Sequence, residues 1–191
     1  MLKPVLLAAI FACTAAPGFA AQTTYQINKD HTDVVFTVNH IGYTMKHGWF
    51  RDISGTLLID TLAPEGAKLE VTIKSGSVDT NHAQRDKDIS KPGWFDVAQF
   101  PDIRFVSTKV TRLGADAADV TGNLTLHGVT HPLVLHVKLN KAAPSPFGQQ
   151  PTLGFTATGS LKRSDYGMTQ LLPIIGDQVD IVIDSELSAS K

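Results

Sequence analysis

The chain has 191 residues, 42% of them apolar and 18% charged, with a formal charge of -1; that is enough for one domain with a sizeable core and marginal for two. No basic tail or patch is present, which argues against nucleic acid as a partner. The single cysteine, Cys13, allows no disulfide framework, so stability must come from burying apolar side chains.

The first twenty residues differ from the rest. Lys3 precedes an apolar run from Val5 to Ala12, and Ala15-Ala16-Pro17-Gly18-Phe19-Ala20 ends it with small residues, the pattern of a secretory signal. Cleavage after Ala20 puts Gly18 and Ala20 at the two small-residue positions, whereas cleavage one residue later would put Phe19 at one of them. The run is too short to span a bilayer. The expectation is a signal peptide over 1–20 and a single mature domain over 21–191, exported to the periplasm. Ile10-Phe11-Ala12-Cys13 has a faint likeness to a lipoprotein signal, in which Cys13 would carry lipid, but bulky Phe11 stands where that signal takes a small residue. Without Lys3 the chain carries 16 basic against 18 acidic residues, a formal charge of -2.

From Val34 onward, Val34, Phe36, Val38 and His40 alternate with Val35, Thr37 and Asn39, the period of a half-buried strand, so His40 shares the apolar face. Ile41 to Gly48 breaks the alternation. Trp49, Phe50 and Ile53 then lead through Gly55, which predicts a bulge or sharp bend, into Leu57 and Ile59. After a turn at Leu62–Gly66, Leu69, Val71 and Ile73 alternate with charged and polar residues in the cleanest strand of the chain.

The stretch Ser75–Ser107 interrupts this repetition. Asn81, His82, Gln84, Arg85, Asp86, Lys87 and Asp88 are followed at once by Trp94, Phe95 and Phe100, so a polar, chargeable loop is anchored by aromatic bodies. Such a segment reads either as a rim or lid that contacts a ligand, or as a solvated loop leading to an aromatic plug. Ala83–Ile89 fits a short helix that Pro92-Gly93 stops.

Four further strands follow: Val120 to Leu126, Leu133 to Leu139, Leu153 to Leu161 and Val179 to Leu187. Gly128–Pro132 reads as the hairpin turn between the first two, and Lys141–Pro151 as a loop. Eight or nine strands without a long helix predict an antiparallel up-and-down barrel or a sandwich, and periodicity does not choose between them.

Chemistry-bearing motifs are sparse. There is no Gly-x-Ser-x-Gly elbow, no phosphate-binding glycine loop and no His-Glu-x-x-His helix. His127, His131 and His136 lie close in sequence, but His136 should face outward and His131 sit in a turn, so solvent exposure is favoured over a metal site. Arg85, Asp86 and Asp88 form either a salt-bridged loop or acid–base machinery. Arg163-Ser164-Asp165-Tyr166-Gly167-Met168 is open to the same two readings.

Several segments together resemble the YceI-like family of secreted, lipocalin-like proteins that bind polyisoprenoid lipids. The resemblance covers the mature chain. It rests on His31-Thr32-Asp33-Val34-Val35-Phe36-Thr37-Val38-Asn39-His40, on Gly48-Trp49-Phe50 with Ile53-Ser54-Gly55, and on Ser77-Val78-Asp79-Thr80 with Arg85-Asp86. Trp94-Phe95-Asp96, Phe100-Pro101, Phe105, Gly122–Thr130, Arg163–Met168 and Ile175–Val179 complete it. Trp94, Phe100 and Tyr166 depart from the family's usual residue, but each keeps an aromatic.

The resemblance implies an all-β, lipocalin-like eight-stranded antiparallel β-barrel with a short helical insertion. Its elongated apolar lumen would take a long-chain isoprenoid or similar lipid, with the polar head near the rim. Ligand contacts are expected from Phe36, Val38, His40, Arg85, Asp86, Trp94, Phe95, Phe100, Phe105, Phe155, Ala157, Arg163, Tyr166 and Met168. At the mouth, Arg85 and Arg163 either hold a head group or pair with Asp86 and Asp165. On this reading the protein is a periplasmic binding or carrier protein, with no catalysis, no metal and no cofactor beyond the lipid. Its partner is an apolar small molecule, with no stable membrane insertion and room for a homodimer. The competing reading, a periplasmic hydrolase or isomerase using Arg85, Asp86 and Asp88 with His40, lacks a nucleophile. Ala157 and Gly159, two small residues in succession on an apolar face, would leave space for a lipid tail.

Overall fold

The computed structural model describes residues 22–190, so the expected signal peptide and Cys13 lie outside the described residues. Period-two alternation folds into strands β1 (Thr23–His40), β2 (Thr44–Phe50), β3 (Ile53–Ile59), β4 (Lys68–Lys74) and β5 (Val78–Asp79). After helix α1 (Ala83–Ile89) come β6 (Asp102–Arg112), β7 (Ala117–Leu126), β8 (Val129–Pro144), β9 (Pro151–Lys162) and β10 (Ile175–Ala189).

Every ladder is antiparallel, and β1 pairs along β10 from Tyr25↔Ala189 to His40↔Ile175, which closes the sheet on itself. The ten strands make eight staves. β2 and β3 both pair with β1, at Val34↔Phe50 and Gln26↔Thr56, so they are two halves of one stave. β4 pairs with β3 and β5 with β2, so they form the next stave in the same way. The result is an eight-stranded up-and-down barrel; among the described residues closure leaves only the two-residue β5 paired on a single side, where a sandwich would have longer edges to protect.

Three local expectations are corrected. Gly55 introduces no bulge, because β3 and β4 pair without a break from Ile53↔Ile73 to Leu58↔Lys68. A Cβ at Gly55 would lie 2.5 Å from the Glu70 carbonyl oxygen and 2.8 Å from Ile27, so glycine serves close approach there rather than a bend. The β7–β8 turn is the tight pair His127-Gly128, both at positive φ, with Leu126↔Val129 already in register, so His131 stands in a strand. β8 runs on to Pro144, which shortens the following loop to 145–150.

The α1 bounds are those expected. His82 caps the helix, its Nδ1 accepting from the Arg85 backbone N–H at 3.1 Å. The β1–β2 turn, the excursion at 80–101 carrying α1, the β7–β8 turn and residues 163–174 all lie at one end of the barrel. At the opposite end Tyr25, Leu57, Ile59, Leu153 and Leu187 pack into a buried cluster.

Candidate functional site

Inward side chains of all eight staves enclose a cavity of about 730 Å³. On β10 its lining runs from Ile175 to Leu187, roughly 40 Å of strand and, at the tilt of an eight-stranded barrel, roughly 30 Å along the axis. The wall is almost wholly aliphatic and aromatic. Two glycines widen it. A Cβ at Gly48 would collide with the Phe36 ring, and one at Gly122 with the Phe105 ring, so both rings lie against the wall instead of across the lumen. Gly159 adds no such space: Leu135 fills the gap, its Cδ2 3.0 Å from where a Cβ would stand, whereas Ala157 does line the cavity.

The mouth is at the α1 end. His47, His82, Gln84 and Leu171 are the exposed members of the lining, and all four belong to that end. Just inside, Phe36, Phe50 and Phe95 meet at centroid distances of 5.4 to 6.1 Å, with edge-to-face geometry for Phe95 against both partners.

Of the side chains expected at the ligand, Phe36, Val38, His40, Arg85, Trp94, Phe95, Phe105, Phe155, Ala157, Arg163 and Met168 line the cavity. Three do not. Asp86 turns to Thr80, accepting from its backbone N–H and its hydroxyl. Phe100 packs on His127, with ring centroids 4.5 Å apart, and its carbonyl accepts from the Ser75 hydroxyl at 2.6 Å. Tyr166 is buried edge-on against His131 at 5.3 Å. Both aromatics stand in irregular segments, where sequence marks an aromatic as anchoring without saying on which side of the capping segment it is buried.

Neither arginine forms the expected ion pair, Arg85 with Asp86 or Arg163 with Asp165. Arg163 is 3% exposed and has no carboxylate within ion-pair distance among the described residues. Its Nε donates to the Gly176 carbonyl at 2.9 Å, Nη1 to Met168 at 2.6 Å and Nη2 to Ile175 at 3.0 Å. The Trp94 ring lies 5.2 Å from the guanidinium carbon, a cation–π contact. Burial pulls this guanidinium below its ordinary value, and Asp177 opposes the shift. Arg163 thus ties residues 163–176 into a cap over the barrel end. Arg85 donates to the Thr80 hydroxyl at 2.8 Å and the Thr80 carbonyl at 2.7 Å, so Arg85 and Asp86 communicate through Thr80 rather than as an ion pair.

Two further loop acids are engaged. Asp88 pairs with Lys91 at 2.7 Å. Burial pushes the Asp177 carboxyl up, but the Ser164 N–H and hydroxyl, helped by Arg163 and Lys162, outweigh it and hold Asp177 below the usual carboxylate range. The three clustered histidines are held apart by separate partners: His127 by the Tyr166 carbonyl, His131 by the Asp165 carbonyl and His136 by Asp119. Among the described residues no group of three or more His, Cys, Asp or Glu side chains is placed to hold a metal ion.

Sequence reasoning missed Lys46. It pairs with Val38 in the register that puts Phe50 and Gly48 inward, it lines the cavity near the mouth, and no carboxylate pairs with it among the described residues. Its parity with Gly48 and Phe50 was the available signal.

A closed eight-stranded antiparallel barrel with an apolar lumen and a polar mouth defines a lipocalin-like fold. The chain belongs to the YceI-like family, whose domain matches residues 25–187. It is 42% identical over 171 residues to a UPF0312 protein of Pseudomonas savastanoi pv. phaseolicola, covering 88% of each chain. Among solved structures, Burkholderia cenocepacia BcnA superposes with a TM-score of 0.76 at 20% identity, over 84% of this chain and 98% of that one. A polyisoprenoid binding domain from Saccharophagus degradans superposes with a TM-score of 0.64 at 18% identity, over 88% and 99%. At those identities the two structures speak for the fold.

Proposed function

We propose that the lumen holds a long-chain isoprenoid or similar amphiphilic lipid, and that the protein binds or carries this molecule in the periplasm without chemically changing it. The observation that carries the reading is the continuous apolar lumen, open at one polar mouth. The polyisoprenoid binding of the Saccharophagus degradans domain supports it. Each methylene taken from water into such a wall contributes about 0.8 kcal/mol, so a long tail is held without a charged anchor. Its polar head then sits at the mouth, where Arg85, His40 and Lys46 line the cavity and Arg163, bound to three carbonyls, acts mainly as a brace. Export is proposed from the N-terminal pattern of Lys3, apolar run and small residues.

Extraction of detergent-free purified protein with organic solvent, followed by mass spectrometry, tests the reading. A long-chain apolar molecule is expected in the extract, or uptake of one by the stripped protein without turnover. An empty lumen that takes up no such molecule, or steady conversion of the ligand lost in Asp86→Ala or His40→Ala, overturns it. Intact mass of the exported protein should begin at Ala21; lipid on Cys13 would instead make it membrane-anchored.

A further inference from the structure

Two loops flank the mouth, and both expose apolar side chains. In the β1–β2 turn Ile41 is 47% exposed and Tyr43 86%, with Met45 just beyond; in the segment entering β10, Leu171 is 52% exposed and Ile174 56%. The loops form one patch, because the Ile41 N–H donates to the Ile174 carbonyl at 3.1 Å. Ile41 and Leu171 sit at φ 60° and 58°. That region disfavours side chains with a Cβ and β-branched ones most of all, and such conformations persist only where the surroundings impose them. The backbone is therefore held in an unfavourable state to present apolar residues outward, in turns where Gly or Asn would relieve it.

Leu171 also lines the lumen, so the patch is continuous with the cavity wall. The opposite end exposes Leu62, Leu113 and Phe147 too, but no lumen residue is exposed there. Beside Met45, Lys46 lines the lumen and has no carboxylate partner among the described residues. The local surface thus combines apolar tips, a tyrosine and an unpaired lysine, the composition that favours the interface of an anionic bilayer.

We infer that this lip docks the mouth onto the surface of an anionic phospholipid bilayer, so that a lipid passes between membrane and lumen without crossing water. The inference rests on the reading of the lumen as a lipid site. It concerns a peripheral contact made by loop tips.

Co-sedimentation with phosphatidylcholine vesicles containing roughly a third phosphatidylglycerol tests it. The purified protein should sediment with these vesicles, less with phosphatidylcholine alone, and less at high salt. The variant Ile41→Asn/Tyr43→Ser/Ile174→Ser removes apolar tips outside the lumen lining, and Asn accepts the left-handed backbone. Its vesicle affinity should fall roughly tenfold or more, with melting temperature and uptake of a fluorescent isoprenoid in vesicle-free solution retained. Should the triple variant not fold, Tyr43→Ser alone, at the most exposed of these positions, should still weaken sedimentation. Failure of the wild type to sediment, or undiminished sedimentation of the folded variants, overturns the inference. A concentration-dependent dimer that the variants abolish, with no vesicle binding, reassigns the lip to a second copy of the chain. Loss of isoprenoid uptake by the wild type itself sinks the lumen reading, a result read in vesicle-free solution and separate from sedimentation.

Discussion

At the end opposite α1, Tyr25, Leu57, Ile59, Leu153 and Leu187 seal the barrel with inward side chains of its own strands. At the α1 end, residues 80–101 and 163–174 close over all but the mouth with a buried arginine, an aromatic cluster and a network around Thr80. The first seal is made of many small apolar contacts, each of which neighbours can partly replace. The second depends on a few directional bonds to named atoms, and losing one leaves a desolvated polar group behind. Single substitutions should therefore be felt most sharply where the mouth is.

The largest effect on stability is expected from Arg163→Ala. Three carbonyls lose their donor in a buried place, at a cost of about 3 kcal/mol or more, and Arg163→Lys should not restore it, since an ammonium lacks the planar fork that reaches three acceptors. Chemical unfolding of both variants checks this, and a loss under about 1 kcal/mol would mean that the cap closes without its brace. Ala157→Trp comes next and divides tunnel from packed core. An indole in an open lumen should abolish lipid uptake with little change in melting temperature, whereas in a filled core overpacking costs roughly 1 to 3 kcal/mol. Thermal melts of lipid-free protein, paired with an uptake assay, separate the two.

The smallest effect concerns acid. Asp177 is held below its ordinary value by Ser164 and Arg163 once burial is overcome, so its contribution is present above the unfolded value, near 3.9 for Asp, and fades as pH falls through the lower folded value. Melting temperature of the wild type should thus decline below about pH 4 more steeply than that of Asp177→Asn. Parallel curves would remove Asp177 from the acid response.

The barrel was largely readable, because alternation and burial are both local: β4 and the bounds of α1 follow from runs such as Leu69, Val71, Ile73 and from His82 and Pro92-Gly93. Closure was not, since pairing of β1 with β10 joins residues at opposite ends of the chain, and periodicity is the same in a sandwich. In the site, Phe36, Val38 and Ala157 were legible as parts of strands. Arg163 was legible as important, but its acceptors are backbone carbonyls 5 to 13 residues away, and a carbonyl has no sequence signature. Phe100 and Tyr166 lie in irregular segments, where no period assigns a face. Lys46 follows a turn, where the alternation of β1 no longer applies and that of β2 had only Gly48 and Phe50 to announce it.

The ladder between β1 and β10 also bears on how the molecule comes into being. Each other stave can pair with its neighbour in sequence as the chain elongates, but β1 waits for β10 before its second edge is satisfied, and Tyr25 meets Ala189 only at the very end. Until then the nascent sheet is an open ribbon with two unpaired borders and its apolar face uncovered, a species slow to resolve and prone to join other chains. A chain cut short within β10 is accordingly expected to yield aggregate rather than a smaller barrel, because seven staves cannot close around a lumen built for eight.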